Sequence, residues 1–206
     1  MELSQIQKDA LTELINIGYG RAAGALSELT GYRISLEVPN VAIHQVENIT
    51  PVLEKLLVQP VASVNQSFSG PLMGNALLLL DKASALVLSR LLGEGGRDGD
   101  ELDSNAREII TEVGNILLNA CLGIFGNLLQ IQVNFAVPRF QLETIPRILD
   151  AMTQQSQEKL RYGLMVHTRF HVKSENVTGY MVIVLGISSL ERLMVELDRW
   201  ETRQLQ

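Results

Sequence analysis

The chain has 206 residues, of which 46% are apolar and 19% are charged, and this composition excludes an intrinsically disordered protein. Its 17 basic and 23 acidic side chains leave a net charge of −6, which argues against a surface that binds the phosphate backbone of nucleic acids. With a nucleic-acid partner disfavoured by this charge, we expect a protein partner. The length corresponds to one large domain or to two closely packed halves.

The first half predicts a long helix followed by strands and two shorter helices. Ser4 and Gln7 form a capping-box pair that starts the long helix, and Gly31 stops it. The extended stretch at 32–46 contains Pro39, which marks a bend, a bulge or a sheet edge because proline cannot donate to the ladder. The other predicted elements are a helix at 51–58 with Pro51 in its first turn behind Thr50, strands at 61–69 and 76–80, and a helix at 82–92.

The second half repeats this order after a glycine-rich, charged linker at 93–100. Its long helix begins near Asp103 to Asn105, with Glu108 as the capping-box partner of Asn105. An extended stretch at 129–141 contains Pro138. The other predicted elements are a helix at 146–156 behind Thr144, strands at 161–172 and 178–185, and a closing helix at 189–200.

The two halves are also related residue by residue. An offset of 99 positions aligns residues 10–39 with residues 109–138 without a gap, and eight of the thirty positions are identical, where chance gives about two. The sequence therefore predicts one domain, residues 1–206, made of two repeats at about 1–95 and 101–200. The predicted class is α+β, with an antiparallel sheet, internal pseudo-twofold symmetry and helices collected on one side.

Both long helices are predicted to bury one face and to expose a polar one. The inward stripes are Leu11, Leu14, Gly18, Ala22, Ala25 and Leu29 in the first helix, and Ile110, Val113, Leu117, Cys121, Ile124 and Leu128 in the second. The outward positions are Asp9, Glu13, Asn16 and Gly20, and Glu108, Glu112, Asn115 and Asn119. Core packing explains a shared leucine, but it does not explain why both helices place Glu and then Asn outward.

A Glu-x-x-Asn pair on one solvated helix is structural in roughly nine cases of ten, since both residues are tolerated there. Its recurrence is the informative feature, because 22 residues separate Asn16 from Pro39 and again Asn115 from Pro138. A carboxamide can hold a water through its oxygen while its NH₂ group points at a phosphoryl oxygen. It is too weak a base to take a proton, so its role is restricted to positioning.

The pattern [Asp/Ser]-x-x-x-Glu-x-x-Asn-x₂₂-Pro resembles the signature of the CheC-type chemotaxis phosphatases, which include CheX and FliY proteins. Its two copies here are Asp9, Glu13, Asn16 and Pro39, and Glu108, Glu112, Asn115 and Pro138. The resemblance covers the whole chain. One position departs from the family, because Glu108 stands where the second copy usually has Asp or Ser, which puts the geometry of the second site in question.

The resemblance implies a hydrolase acting on the aspartyl phosphate of a CheY-like response regulator. Asn16 or Asn115 would orient the attacking water, and Glu13 or Glu112 would engage a lysine of the regulator. Asp9, Pro39, Glu108 and Pro138 would be supporting residues. No cofactor or metal is expected on this chain, and Mg²⁺ is expected on the regulator. The alternative is a non-catalytic adaptor that binds a CheD-like deamidase or a flagellar or signalling partner.

Other candidate sites are weaker. His167 and His171 would share one face of a strand, but no further ligand nearby completes a metal site. Cys121 is interpreted as a small buried hydrophobe, and Gly18, Gly20 and Gly24 as close helix packing and not as a phosphate loop. The basic cluster of Lys159 and Arg161 is interpreted as a solvated strand end, with a docking patch as the alternative.

The cysteine content and the N-terminal segment predict a cytoplasmic protein. One cysteine can form neither an intramolecular disulfide nor a thiolate zinc site. The first ten residues lack the basic-then-apolar order of a secretory signal. The longest apolar run, at 76–80, is far shorter than the 18 or more residues of a membrane span, so no membrane is expected as a partner.

Overall fold

The computed structural model describes residues 3–93, 101–155 and 160–204. These residues form six helices and seven strands, and every strand pair is antiparallel. The elements are α1 (Gln5–Thr30), β1 (Ile34–Gln45), α2 (Val46–Leu56), β2 (Val61–Ser69), β3 (Gly74–Asp81), α3 (Lys82–Leu92), α4 (Ser104–Leu129), β4 (Asn134–Phe135), β5 (Arg139–Glu143), α5 (Ile145–Gln155), β6 (Leu160–Val172), β7 (Glu175–Gly186) and α6 (Ile187–Gln204).

The seven strands form a single sheet in the order β1-β6-β7-β3-β2, with β4 and β5 both paired to the outer side of β2. The strands β3 and β7 lie at the centre, where Gly74 pairs with Leu185 and Leu79 with Tyr180. The strand β1 of the first half pairs with β6 of the second, and β4 and β5 of the second half pair with β2 of the first. This path is symmetric about the β3–β7 pair and confirms the predicted pseudo-twofold, antiparallel α+β fold.

Helices cover both faces of the sheet, so the prediction that they collect on one side is wrong. On one face, α1, α3, α4 and α6 pack on alternate strand residues such as Val64, Leu78 and Val166. On the other face, α2 and α5 pack on the intervening residues of the same strands, including Leu77 and Val182. The reason was present in the sequence, because the apolar run of β3 is buried at consecutive positions and therefore needs cover on both sides.

Local capping and turn rules predicted several boundaries correctly. The Ser4–Gln7 capping box starts α1, and Gly31 ends it with a φ of 70°, a left-handed conformation that favours glycine. The bounds of β2 and α3 are those predicted. The register of β1 against β6 shifts between Glu37 and Asn40, so Pro39 lies at a bulge.

Other boundaries differ from the prediction. The helix α4 begins within the predicted window of Asp103 to Asn105, but its cap is Asp103, whose carboxylate accepts the N–H of Ala106 at 2.8 Å, and not the predicted Asn105–Glu108 pair. The helix α2 begins at Val46, so Pro51 lies in its interior and not in its first turn. The predicted extended stretch at 129–141 is two short strands with Pro138 between them. Most of the predicted linker, residues 94–100, lies outside the described residues.

The two long helices pack side by side in opposite directions over the sheet. A Cβ atom added to Gly18 of α1 would lie 3.3 Å from the Cα of Cys121 in α4, so glycine permits this close approach. Gly20 and Gly24 have no atom that near, so the close-packing interpretation holds for Gly18 alone. All six residues of the α4 stripe are buried, whereas Ala25 and Leu29 of the α1 stripe are exposed, so the predicted stripe of α1 is buried only from Leu11 to Ala22.

By length and composition, α4 is also the one described helix that could cross a membrane. Its apolar character has a different explanation in this fold, because 56% of the relevant window is buried against α1, α3 and the sheet. Its exposed face carries charged residues, including Glu108 and Glu112. Burial in the domain therefore accounts for the composition of this helix.

We predict opposite effects for two glycine-to-alanine substitutions in α4. A Cβ at Gly114 would lie 2.6 Å from the Cβ of Val64 in β2, and overpacking of this kind costs about 1–3 kcal/mol. Gly114→Ala should therefore lower the free energy of unfolding in urea. Gly123→Ala has open space and should raise it by about 0.5–1 kcal/mol. A stabilising Gly114→Ala would contradict the close contact of α4 with β2.

Candidate functional site

The first copy of the motif lies on the outward face of α1. Glu13 and Asn16 are both exposed and are one turn apart on the same side of the helix. Asp9, one further turn back, is exposed and accepts a hydrogen bond from the Gln5 side chain at 2.9 Å. Among the described residues, no hydrogen-bond partner holds the carboxamide of Asn16, so it is free to turn toward a docked molecule.

The second copy lies on α4 and is less open. Glu108 and Glu112 are exposed, as predicted, but Asn115 and Asn119 are partly buried. The oxygen of Asn115 accepts a hydrogen bond from the NH₂ group of Asn119 at 2.7 Å. The prediction that both asparagines point fully outward is therefore wrong, because the β2 side of α4 supplies polar partners that hold them against the sheet.

A chain of three carboxamides connects Asn115 to the backbone near Pro138. The NH₂ group of Gln66 in β2 donates to the Ala136 carbonyl at 3.1 Å and to the Asn119 oxygen at 3.0 Å. The NH₂ group of Asn119 then donates to Asn115. Gln66 is only 1% exposed, so this chain is buried at its inner end and reaches solvent at Asn115.

The equivalent position in the first half is built differently. The offset of 99 places Gly20 of α1 where α4 has Asn119, and Gly20 has no side chain to bind Asn16. In the sheet, Gln66 of β2 lies opposite Pro138 when its register with β5 is extended by one residue, and Thr168 of β6 lies opposite the bulge that contains Pro39. Thr168 is therefore the counterpart of Gln66. Thr168 is buried and bonds the hydroxyl of Tyr19. Burial raises the pKa of this tyrosine well above its ordinary value, so the hydroxyl remains protonated.

The two prolines of the motif lie at matching breaks in the outer strands. Pro39 is at the bulge of β1 between Glu37 and Asn40, and Pro138 lies in the break between β4 and β5. At the second break, the Ala136 N–H donates to the Ser67 carbonyl at 2.9 Å, while its own carbonyl accepts from Gln66. Because strand pairing is interrupted here, the Ala136 carbonyl is available to accept the hydrogen bond from Gln66 that anchors the chain of three carboxamides.

The surroundings of the two copies also differ in how open they are. Glu108 and Glu112 line a groove of about 940 Å³ between the ends of α1 and α3 and the start of α4. At the matching place beside α1, the longer helix α6 packs against the surface, and Gln7 donates to Asp198 at 2.9 Å. The two helices run in opposite directions and are level with each other where Gly18 meets Cys121. Asn16 and Asn115 lie on opposite sides of this contact, so the rise per residue places them about 12 Å apart along the helix axes.

These positions are suited to a large docking partner. Glu13 and Asn16 are exposed on the outer surface of α1, and Glu112 is exposed at an open groove beside α4. Val137, beside the second copy, is 81% exposed, and Ile17, beside the first, is 42% exposed. An acidic group, a carboxamide and an apolar side chain at each place are features that a protein surface can contact.

The histidines that the sequence paired have other partners. The His167 ring stacks on Tyr180, with centroids 5.0 Å apart. His171 lies 3.1 Å from a Glu37 oxygen, and its hydrogen bond lowers the pKa of that glutamate, with Arg169 contributing. Within the described residues, no group of three potential metal ligands occurs. Lys159 and the Arg161 side chain lie outside what the structure describes.

Two residues of the second copy were not predicted to have a role. Asn119 was predicted only to be an outward polar residue of α4. Its hydrogen bond to Asn115 could have been predicted, because side chains four positions apart on a helix are neighbours. Gln66 carried one weak indication, a polar residue at an inward position of a strand. Its contact with Ala136 depends on the order of the strands, which the sequence did not specify.

Comparison with known proteins identifies relatives over nearly the whole chain. The CheC-like family model matches residues 6–43, which contain Glu13, Asn16 and Pro39. The CheY-P phosphatase CheC of Bacillus subtilis is 25% identical over 200 residues, which cover 95% of each chain. The chain is homologous to the CheC-type phosphatases. The predicted resemblance is therefore confirmed.

FliY proteins are a second group of relatives. The flagellar motor switch phosphatase FliY of Bacillus subtilis is 23% identical over 177 residues, which cover 84% of this chain and 44% of FliY. The chain thus spans less than half of that CheC-type relative. The crystal structure of Thermotoga maritima FliY has the same fold, with a TM-score of 0.74, 21% identity and coverage of 97% and 99% of the two chains.

We predict that Cys121 does not react in the folded protein. Its side chain is 1% exposed against α1, and burial raises the pKa of its thiol, so the reactive thiolate does not form near neutral pH. A disulfide-exchange reagent at pH 8 should label the native chain very slowly and should label one thiol per chain in guanidinium. Rapid labelling of the native protein would show that the α1–α4 contact is open.

Proposed function

We propose that the chain is a protein phosphatase that hydrolyses the aspartyl phosphate of a CheY-like response regulator and so ends a chemotaxis signal. The main support is the placement of Glu and Asn, one turn apart, at matching positions of both long helices, with the pair of α1 exposed and Asn115 of α4 partly buried beside the exposed Glu112. The printed names of the two homologues, CheY-P phosphatase and motor switch phosphatase, agree with this chemistry. Glu13, Asn16, Glu112 and Asn115 are the proposed catalytic residues.

The proposed reaction needs positioning and no base from this chain. The oxygen of a water attacks phosphorus in line with the bond to the aspartate, and that P–O bond breaks as the new one forms. The aspartate leaves as a carboxylate, and both protons of the water stay with the phosphate as dihydrogen phosphate. An asparagine cannot accept a proton, but its oxygen can hold the water and its NH₂ can contact a phosphoryl oxygen.

The regulator would supply the rest of the site. The phosphoaspartate, the Mg²⁺ ion and a lysine belong to that protein, and Glu13 or Glu112 would pair with the lysine. Asp9, Glu108 and the two prolines would support the local geometry. Orientation of one water accounts for about 2–4 kcal/mol of barrier reduction, or about 30- to 1000-fold in rate, which is sufficient for an acyl phosphate that is already labile.

We predict that Asn16→Ala combined with Asn115→Ala abolishes stimulated dephosphorylation. Each single variant should keep part of the activity, because the two sites act separately. The measurement is the decay of a phosphorylated regulator in Mg²⁺ with substoichiometric protein, corrected for its own hydrolysis. Asn16 is exposed, and Asn115 is partly buried with one hydrogen bond, from Asn119, so the thermal unfolding midpoint should fall only modestly.

Asn48→Ala provides a matched control, since Asn48 is exposed on α2 at the other face of the sheet. This variant should keep full activity. A fully active Asn16→Ala/Asn115→Ala chain would refute the assignment of these residues.

We further predict that Glu13→Gln combined with Glu112→Gln weakens capture of the regulator. Loss of two exposed carboxylates should raise KM about three- to tenfold and reduce its dependence on ionic strength. Steady-state assays at low and high salt measure both effects. Glu47→Gln/Glu54→Gln removes the same charge from α2 and should change neither quantity. An equal rise in KM for the two pairs would indicate a general charge effect.

The alternative is a non-catalytic adaptor for a flagellar partner or a CheD-like deamidase. The flagellar name of one homologue favours a flagellar partner, whereas retention of both Glu-Asn pairs favours the enzyme. The decay assay separates them, because an adaptor would not turn over at substoichiometric amounts. A cytoplasmic location and the division into two repeats stay predictions. The element orders of the two halves are in line with the latter, because they differ only where β4 and β5 stand in place of the single strand β1.

A further inference from the structure

The second site contains a carboxamide whose orientation is set from inside the protein. The side-chain oxygen and nitrogen of an asparagine are usually interchangeable in a hydrogen-bond network. Here the chain ends on the backbone carbonyl of Ala136, which can only accept. The contacting atom of Gln66 must therefore be its NH₂ group, and its second proton is directed at Asn119.

The same logic passes outward along the chain. Because Gln66 donates to Asn119, the Asn119 oxygen is the acceptor and its NH₂ group is left to donate. That group lies 2.7 Å from Asn115, whose contacting atom must then be its oxygen. The NH₂ group of Asn115 is consequently the end that remains for a partner, since this side chain is only partly buried.

We infer that Asn119, anchored through Gln66 to the Ala136 carbonyl, is a positioning residue that holds the Asn115 carboxamide in one orientation for catalysis at the second site. The inference rests on the proposed phosphatase function. One lone pair of the Asn115 oxygen is used by Asn119, and the second is available to the attacking water. The NH₂ group is then oriented toward a phosphoryl oxygen before the regulator docks.

The first site lacks this device, which gives an internal comparison. Gly20 occupies the position of Asn119, and the buried hydroxyl of Thr168 is already bonded to Tyr19. Asn16 must therefore lose side-chain rotational freedom when a regulator binds, whereas Asn115 has lost part of it on folding. The second site should turn over faster for each docked regulator, and that advantage should depend on Asn119.

The decisive variant is Asn119→Ala, which removes the donor without adding a charge and leaves the Gln66 bond to Ala136 in place. It is made in the Asn16→Ala chain, where only the second site works. We expect kcat to fall about three- to tenfold with KM within about twofold, because orientation is lost and docking is not. Asn48→Ala in the same chain should change neither constant. An unchanged kcat, or a loss confined to KM, would overturn the inference.

A measurement on the free protein tests the tether without any assay of activity. In ¹⁵N relaxation of side-chain NH₂ groups, Asn115 should have a clearly higher order parameter than Asn16, and Asn119→Ala should reduce it to the level of Asn16. Equal order for Asn16 and Asn115 in the unsubstituted chain would refute the tether. If the unsubstituted protein failed to hydrolyse the regulator, the proposed function would fail while these order parameters still tested the hydrogen-bond chain.

Discussion

The antiparallel contact between α1 and α4 is the constraint on which the rest of the structure depends. It buries a face of each helix against the other and against the sheet, with Gly18 allowing the backbones to approach closely beside Cys121. Once those faces are buried, helical geometry turns the glutamates and Asn16 toward solvent. The same contact fixes the distance between the two motif copies. A tight, buried interface in the core thus determines the positions of residues that never enter the core.

The sheet connects each motif copy to both halves of the sequence. The strand β2 of the first half carries Gln66, while the strands next to it, β4 and β5, and the helix above it, α4, come from the second half. In the same way, β6 of the second half places Thr168 beneath Tyr19 of α1. Each long helix thus takes a buried polar partner from the other half, Gln66 for α4 and Thr168 for α1. The pseudo-twofold arrangement therefore interleaves strands from both parts of the sequence in one sheet.

Local rules predicted much of this fold, because caps, glycine stops and apolar periodicity act over a few residues. The start of α1, its stop at Gly31 and the bounds of β2 and α3 follow from such rules. The exposed side of α1 at Asn16 was predictable for the same reason. The second site was not, because the partial burial of Asn115 depends on Gln66, 49 positions away, and therefore on which strand lies beneath α4. Cover on both sheet faces likewise depended on the whole strand order.

The most direct test of the account is the structure of this chain in complex with a CheY-like regulator that carries beryllofluoride as a stable mimic of its aspartyl phosphate. The account predicts that the carboxamide of Asn16 or Asn115 lies within about 3–4 Å of the beryllofluoride group, with room for one water in line with the bond to the aspartate. The neighbouring glutamate should contact a regulator lysine. A regulator docked on the α2 and α5 face, or with both asparagines outside its phosphorylation site, would contradict the account.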